Sequence, residues 1–162
     1  MKKYKSMKKK FFKKRKTVKQ VEESMDFAPK FDKKGLIPVV TTDFKSGEVL
    51  MHGFMNQESL KKTITFGEAH YYSRSRKVVW HKGKTSGLIQ KVKEILIDDD
   101  QDSIWIKVRV LGGASCHVGY RSCFYRKINF KKNKGVILKF TEKKKVFDPK
   151  LVYGDATNPT KL

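Results

Sequence analysis

Apolar positions along this chain gather in short runs separated by glycine-bearing turns, the spacing of a β-rich domain. The first firm signal is Ile37-Pro38-Val39-Val40-Thr41-Thr42-Asp43-Phe44, then Lys45-Ser46-Gly47, then Glu48-Val49-Leu50-Met51, which predicts a β-hairpin. One segment switches to helical spacing. Asn56 offers a side-chain oxygen as an N-cap, Gln57 and Glu58 suit the first turn, Leu60 and Ile64 share a face, and Gly67 can end it. Runs rich in aromatic and β-branched residues then predict strands over 69–73, 78–81, 88–97, 104–110 and 120–126, with one more over 135–140. Phe147-Asp148-Pro149 and Tyr153-Gly154 read as irregular chain, and no internal repeat is found. The expected fold is α+β and mostly β: a compact twisted antiparallel sheet or barrel-like domain with one or two short helices.

With 162 residues the chain has room for one core. Its net charge of +22 is unevenly spread. Residues 1–20 hold 11 Lys and Arg and no acid, and residues 131–162 hold 9 basic and 3 acidic residues, so the middle is only weakly basic. The expected organisation is a basic mobile tail over 1–24, a domain over 25–130 and a basic C-terminal extension over 131–162. No apolar stretch suits an export signal or a bilayer span, and two cysteines make no disulfide framework, so the cytoplasm is expected and a membrane is not. Tails this basic attract nucleic acid non-specifically. That makes a basic nucleic-acid-binding protein the competing functional class.

Three clusters carry chemical content. Asp98-Asp99-Asp100-Gln101-Asp102 crowds four carboxylates into five positions. In an extended segment Asp98, Asp100 and Asp102 share one face and repel, which a hard cation such as Mg²⁺ relieves. An EF-hand is excluded, because its glycine and distal Glu fall on Ser103 and Arg109. The second cluster holds both cysteines, Cys116 and Cys123, with His117 beside the first. Six intervening residues do not suit a zinc finger, whereas an open catalytic site needs only three protein ligands; two buried apolar cysteines are the alternative. His117 could take a proton from metal-bound water or support a ligand. The third cluster is cationic: Arg74 and Arg76 in His70-Tyr71-Tyr72-Ser73-Arg74-Ser75-Arg76, and Lys82, Thr85 and Ser86 in a Gly83–Gly87 turn. Forked guanidinium donors, an ammonium, hydroxyls and exposed N–H groups suit phosphate, although a basic loop in a basic protein has the same composition.

Together these stretches resemble the phosphoribosyl-AMP cyclohydrolase family. The likeness runs in order from about Gly35 to Arg126: Gly35-Leu36-Ile37-Pro38, Gly47-Glu48-Val49-Leu50-Met51, Phe54-Met55-Asn56, the 67–76 stretch, Trp80 with Lys82-Gly83 and Thr85-Ser86-Gly87, the aspartates, and Cys116-His117 with Arg121-Ser122-Cys123-Phe124-Tyr125. The resemblance implies hydrolysis of the N1–C6 bond of the adenine ring in 1-(5-phosphoribosyl)-AMP, a step of histidine biosynthesis, by metal-activated water in an intertwined homodimer. It also implies Zn²⁺ held by three cysteines shared across the dimer and Mg²⁺ held by aspartates. Cys116 and Cys123 carry over as zinc ligands, and Asp98, Asp100 and Asp102 as magnesium ligands. The family's Asp-Cys-Asp reads Asp98-Asp99-Asp100, so the third cysteine is missing and Asp99 is the candidate replacement, equal in charge but a harder donor. A family glutamate reads Lys84. A degenerate cyclohydrolase without activity is the second alternative. His117 is the expected proton acceptor, and Arg74, Arg76, Lys82, Thr85 and Ser86 the expected substrate-binding residues.

Overall fold

The first hairpin forms because β1 (Ile37–Asp43) buries alternate residues, Ile37, Val39 and Thr41, while Asp43 closes the turn by accepting from the Ser46 N–H at 2.8 Å. Its partner β2 (Val49–Met55) pairs antiparallel, Ile37 opposite Met55, with a bulge at Thr41/Thr42. The computed structural model describes residues 11–130, 135–156, 158 and 160. The helix α2 (Gln57–Phe66) has the expected caps: the Asn56 side chain accepts from the Ser59 N–H at 2.8 Å, and Gly67 is left-handed. Leu60 is fully buried, but Ile64 is exposed; the inward position one turn on from Ser59 belongs to Thr63, whose hydroxyl accepts from the His70 N–H at 2.9 Å. That bond ties α2 to β3 (His70–Ser73), which pairs with β4 (Val78–His81).

The strand β5 (Gln90–Ile97) runs antiparallel to β6 (Ile104–Val110), and β6 lies parallel to β1. The sheet order is therefore β2-β1-β6-β5. The fold is mostly β as expected, but this sheet is mixed and open; among the described residues it does not close into a barrel. A parallel central pair requires a long crossover, and α2 with the β3–β4 hairpin supplies it. The core gathers Ile37, Val39, Leu50, Met55, Leu60, Ile104, Ile106, Val108 and Tyr71 between this sheet, α2 and the β3–β4 pair.

Three expectations need correction. Residues 11–24 are not a detached tail. They contain α1 (Val18–Glu23), Phe12 packs against Phe27 and Phe31, Val21 is buried, and Arg15 donates to the Ala28 carbonyl at 2.8 Å. Gln101 fastens this segment: its amide accepts from the Ala28 N–H at 2.8 Å and donates to the Val21 carbonyl at 2.9 Å. Residues 1–10 lie outside the described residues, and with them 6 of the 11 Lys and Arg of the expected nucleic-acid-attracting tail. Second, the strand expected over 120–126 is absent from 120–125. This segment is a loop pinned to the edge of β2, and the next strand is β7 (Arg126–Phe130), paired with β8 (Val136–Phe140). Third, the segment expected to be irregular contains α3 (Pro149–Tyr153), capped by Asp148, whose side chain accepts from the Lys150 N–H. Asp followed by Pro is an N-cap and first-turn signal. Among the described residues there are three short helices, where one or two were expected.

Candidate active site

The loop after β6 returns on itself and brings Cys123 close enough to Cys116 for each to shift the other's ionisation. The neighbouring Cys123, N–H groups of Val118 and Tyr120, and the charge of nearby Lys82 pull the Cys116 thiol below its usual range, while Cys123 is pushed up. Neither cysteine is in a disulfide; Cys116 is buried and Cys123 exposed. Two neighbouring thiols, one with its pKa pulled down, supply the soft donors that zinc prefers and fit half of a zinc site.

The structure gives Lys82 a different place from the expected phosphate site. It is only 4% exposed, its ammonium donates to the Ser115 carbonyl at 2.5 Å, and burial pulls its pKa down. It stands beside the thiols, as a charge partner for a thiolate. A buried chain of hydrogen bonds fixes the same loop from the core. Tyr71 Oη contacts Thr41 Oγ1 at 2.6 Å and donates to Gln90 Oε1 at 2.7 Å, and Gln90 Nε2 donates to Ser115 Oγ at 3.1 Å. Sequence reasoning assigned Tyr71, Gln90 and Ser115 no part, because their value lies in contacts 19 to 30 residues apart.

His117 follows Cys116 with its Nε2 buried and without a hydrogen-bond partner among the described residues, and burial lowers its pKa. Thr85 and Ser86 sit on the turn closed by the Gly87 N–H donating to the Gly83 carbonyl at 2.8 Å; Thr85 is exposed, and Ser86 Oγ accepts from the Leu88 N–H. Arg74 and Arg76 occupy the tip of the β3–β4 hairpin, exposed, Arg74 stacked 4.1 Å from the Phe54 ring centroid. Lys82 thus lies inside while the other four proposed substrate contacts lie outside.

Asp98, Asp100 and Asp102 do converge, with one ligand oxygen from each within 4.8 Å of the others. The cause is a tight turn, not an extended strand: the Gln101 N–H donates to the Asp98 carbonyl, and Gln101 is left-handed. Asp98 Oδ1 accepts from the Asp102 and Ser103 N–H groups, and Lys30 reaches Asp100 at 3.4 Å and Asp102 at 3.2 Å. Three carboxylates at this spacing fit a small hard cation, and Lys30 already balances two of them. Asp99 is exposed. This turn caps one end of the β5–β6 hairpin and the cysteine loop leaves the other. Eight residues of β5 separate them by about 23 Å, so Asp99 does not reach the thiols of its own chain.

The remaining histidines form a separate group. His70 and His81 stack at 4.4 Å, His70 Nδ1 is 2.8 Å from the Glu68 carbonyl, and His81 Nε2 lies 2.7 Å from Glu68 Oε2 without an aligned hydrogen bond. Burial, chiefly, holds His70 below 6.5. The unfolded chain then takes up that proton first, so stability is full above about pH 6.5 and falls as pH drops through the window beneath it. The urea midpoint is expected to fall between pH 7.5 and 5.5, and His70→Asn to flatten that slope; a midpoint independent of pH across this range contradicts the assignment.

A mostly β domain that brings a polarised thiol pair beside a buried ammonium, with a carboxylate turn on the same hairpin, has the parts of a hydrolytic enzyme rather than of a nucleic-acid-binding surface. A family model described as phosphoribosyl-AMP cyclohydrolase matches residues 51–125. The chain is similar to proteins named phosphoribosyl-AMP cyclohydrolase from Rhodopseudomonas palustris (strain TIE-1), 54% identical over 83% of this chain and 89% of that protein, and from Bradyrhizobium diazoefficiens, 49% identical over 83% and 94%. One from Nitrobacter winogradskyi is 48% identical over 83% and 92%. The chain belongs to the phosphoribosyl-AMP cyclohydrolase family.

Proposed function

We propose that this chain hydrolyses the N1–C6 bond of the adenine ring in 1-(5-phosphoribosyl)-AMP within histidine biosynthesis, at a site built on Cys116 and Cys123. The single observation that carries the site is the convergence of these thiols beside buried Lys82, in a chain 54% identical to a protein named for the reaction. Cys116 and Cys123 would hold Zn²⁺, which when bound supplies an acidic water for attack on C6. Lys82 offsets thiolate charge, and the Tyr71–Gln90–Ser115 chain keeps the loop from shifting. His117 takes the proton of the water that attacks C6, through the buried Nε2 that no protein group among the described residues occupies, and returns it to N1 as the N1–C6 bond breaks. Arg74, Arg76, Thr85 and Ser86 bind and orient the two phosphate-bearing ends of the substrate. Asp98, Asp100 and Asp102 would hold Mg²⁺ and so lower the cost of bringing substrate phosphates near.

The third zinc ligand would then come from Asp99 of a second copy, because the chain's own Asp99 is too far away. A homodimer is also supported by the β7–β8 hairpin, where Ile128, Phe130, Val136 and Phe140 are each more than half exposed. No helix among the described residues is long and apolar enough to cross a membrane; the biosynthetic role supports a place in the cytoplasm. Asp99 is tested by zinc content and ring-opening rate in Asp99→Ala and Asp99→Cys proteins. Asp99→Ala is expected to lose both, and Asp99→Cys to retain more zinc than the natural chain. Unchanged occupancy and rate in Asp99→Ala would remove it from the site.

A further inference from the structure

Glu142 belongs to none of the chemical clusters, yet its carboxylate grips the thiol loop. The Arg121 N–H donates to Oε2 at 2.8 Å and the Ser122 N–H to Oε1 at 2.9 Å, one oxygen to each of two consecutive backbone donors. An ionised acceptor makes such bonds roughly twice as strong as neutral ones, and a fork across adjacent N–H groups fixes peptide orientation as well as position. The residue next in the chain is Cys123. On its other side the loop is tied to β2: Ser122 Oγ donates to the Val49 carbonyl at 2.7 Å, the Cys123 N–H donates to the Leu50 carbonyl at 2.7 Å, and Arg121 pairs with Glu48. The loop is clamped between an edge strand and a carboxylate some 20 residues away.

The chain after β8 is built to deliver that carboxylate. The Thr141 N–H donates to the Tyr125 carbonyl at 2.8 Å, and the Val146 N–H donates to the Gly119 carbonyl at 2.7 Å. Gly119 has φ +100, and a Cβ there would lie 2.4 Å from the Phe147 carbonyl oxygen, so the close approach of 146–147 needs glycine at this point. Residues 141–147 therefore form a strap across the 116–125 loop, with Glu142 as its one charged contact to the backbone beside Cys123.

We infer that Glu142 is a positioning residue for Cys123, holding its sulfur at the spacing from Cys116 that a shared metal ion needs. It acts through the Arg121 and Ser122 amides and touches no reacting atom. The metal half of the inference rests on the zinc reading above; the grip on the loop rests on the hydrogen bonds alone.

Cobalt(II) titration of the metal-free full chain tests it, read by the sulfur-to-cobalt charge-transfer band, together with the rate at which an aromatic disulfide modifies the cysteines of the metal-free protein. Glu142→Gln keeps the volume but turns an amide donor toward one of the two N–H groups. It is expected to weaken cobalt binding by about 10–100-fold, to alter the band and to speed thiol modification several-fold. Glu142→Asp keeps charge and fork and recovers part of both. A thermal midpoint measured alongside separates this from plain destabilisation, which would move melting and leave the band unchanged. Cobalt affinity and band equal to those of the natural chain in Glu142→Gln overturn the inference. If the natural chain itself shows no sulfur-to-cobalt band, the zinc reading fails, and the thiol rates alone decide: faster modification in Glu142→Gln upholds the grip, and an unchanged rate overturns it.

Discussion

Replacing Cys116 or Cys123 with alanine is expected to abolish ring opening, by far more than the roughly 10–100-fold that loss of a supporting partner costs a metal site. The reason is that each sulfur does two things. It would be a donor to the metal, and it shifts the ionisation of the other: the neighbouring Cys123 pulls the Cys116 thiol below its usual range. With one sulfur gone, the other loses that neighbour and faces Lys82 alone. Zinc content measured beside the rate distinguishes this from misfolding, since Cys123 is exposed and Cys123→Ala leaves the core of Ile37, Leu60, Ile106 and Tyr71 intact. Activity retained in either variant would contradict the role given to the pair.

The largest effect on stability is expected from Gly83→Ala. Gly83 has φ +86, and a Cβ would stand 2.3 Å from the Leu88 carbonyl carbon and the Ile89 nitrogen. Both are backbone atoms and cannot rotate away. Left-handed strain and overpacking add, so the substitution should cost about 3 kcal/mol or more and lower the melting temperature by roughly 6–12 °C. Gly87→Ala is the control: φ is +73 but the space is open, so only the backbone term of about 1–2 kcal/mol remains. Because this turn carries Thr85 and Ser86 and follows Lys82, Gly83→Ala should also raise KM. Equal melting temperatures for the two variants would show that the turn gives way more easily than its backbone contacts imply.

Local signals proved legible wherever the chemistry was local. Asn56 and Gly67 bound α2 as expected because a cap depends on side chains within one turn, and β4 and β6 fall where their apolar runs lie. Long-range pairing was not legible. Nothing in the apolar pattern distinguishes a parallel β1–β6 pair from an antiparallel one, since an alternating strand such as Ile104–Val110 presents the same apolar face whichever way it runs. The Lys-rich leader misled for a related reason: its charge count suggested a solvated tail, whereas over 11–24 Phe12 and Val21 anchor it and Gln101 holds its backbone. The aspartates converge as expected, but through a turn around left-handed Gln101, a conformation that side-chain alternation does not reveal. At the thiol site, the cysteines and His117 could be named from sequence. The withdrawal of Lys82 from solvent and the carboxylate fork of Glu142 could not, since each depends on burial or on a partner 20 or more residues away.

The central claim is that the paired thiols of this chain open a purine ring. It is tested most directly by supplying the purified, zinc-loaded protein with 1-(5-phosphoribosyl)-AMP and following product formation by absorbance, with Cys116→Ala protein in parallel. Steady conversion by the natural chain and none by the variant is the predicted result. Intact substrate after exposure to the natural chain, under conditions in which a relative with three cysteines consumes it, would contradict the account.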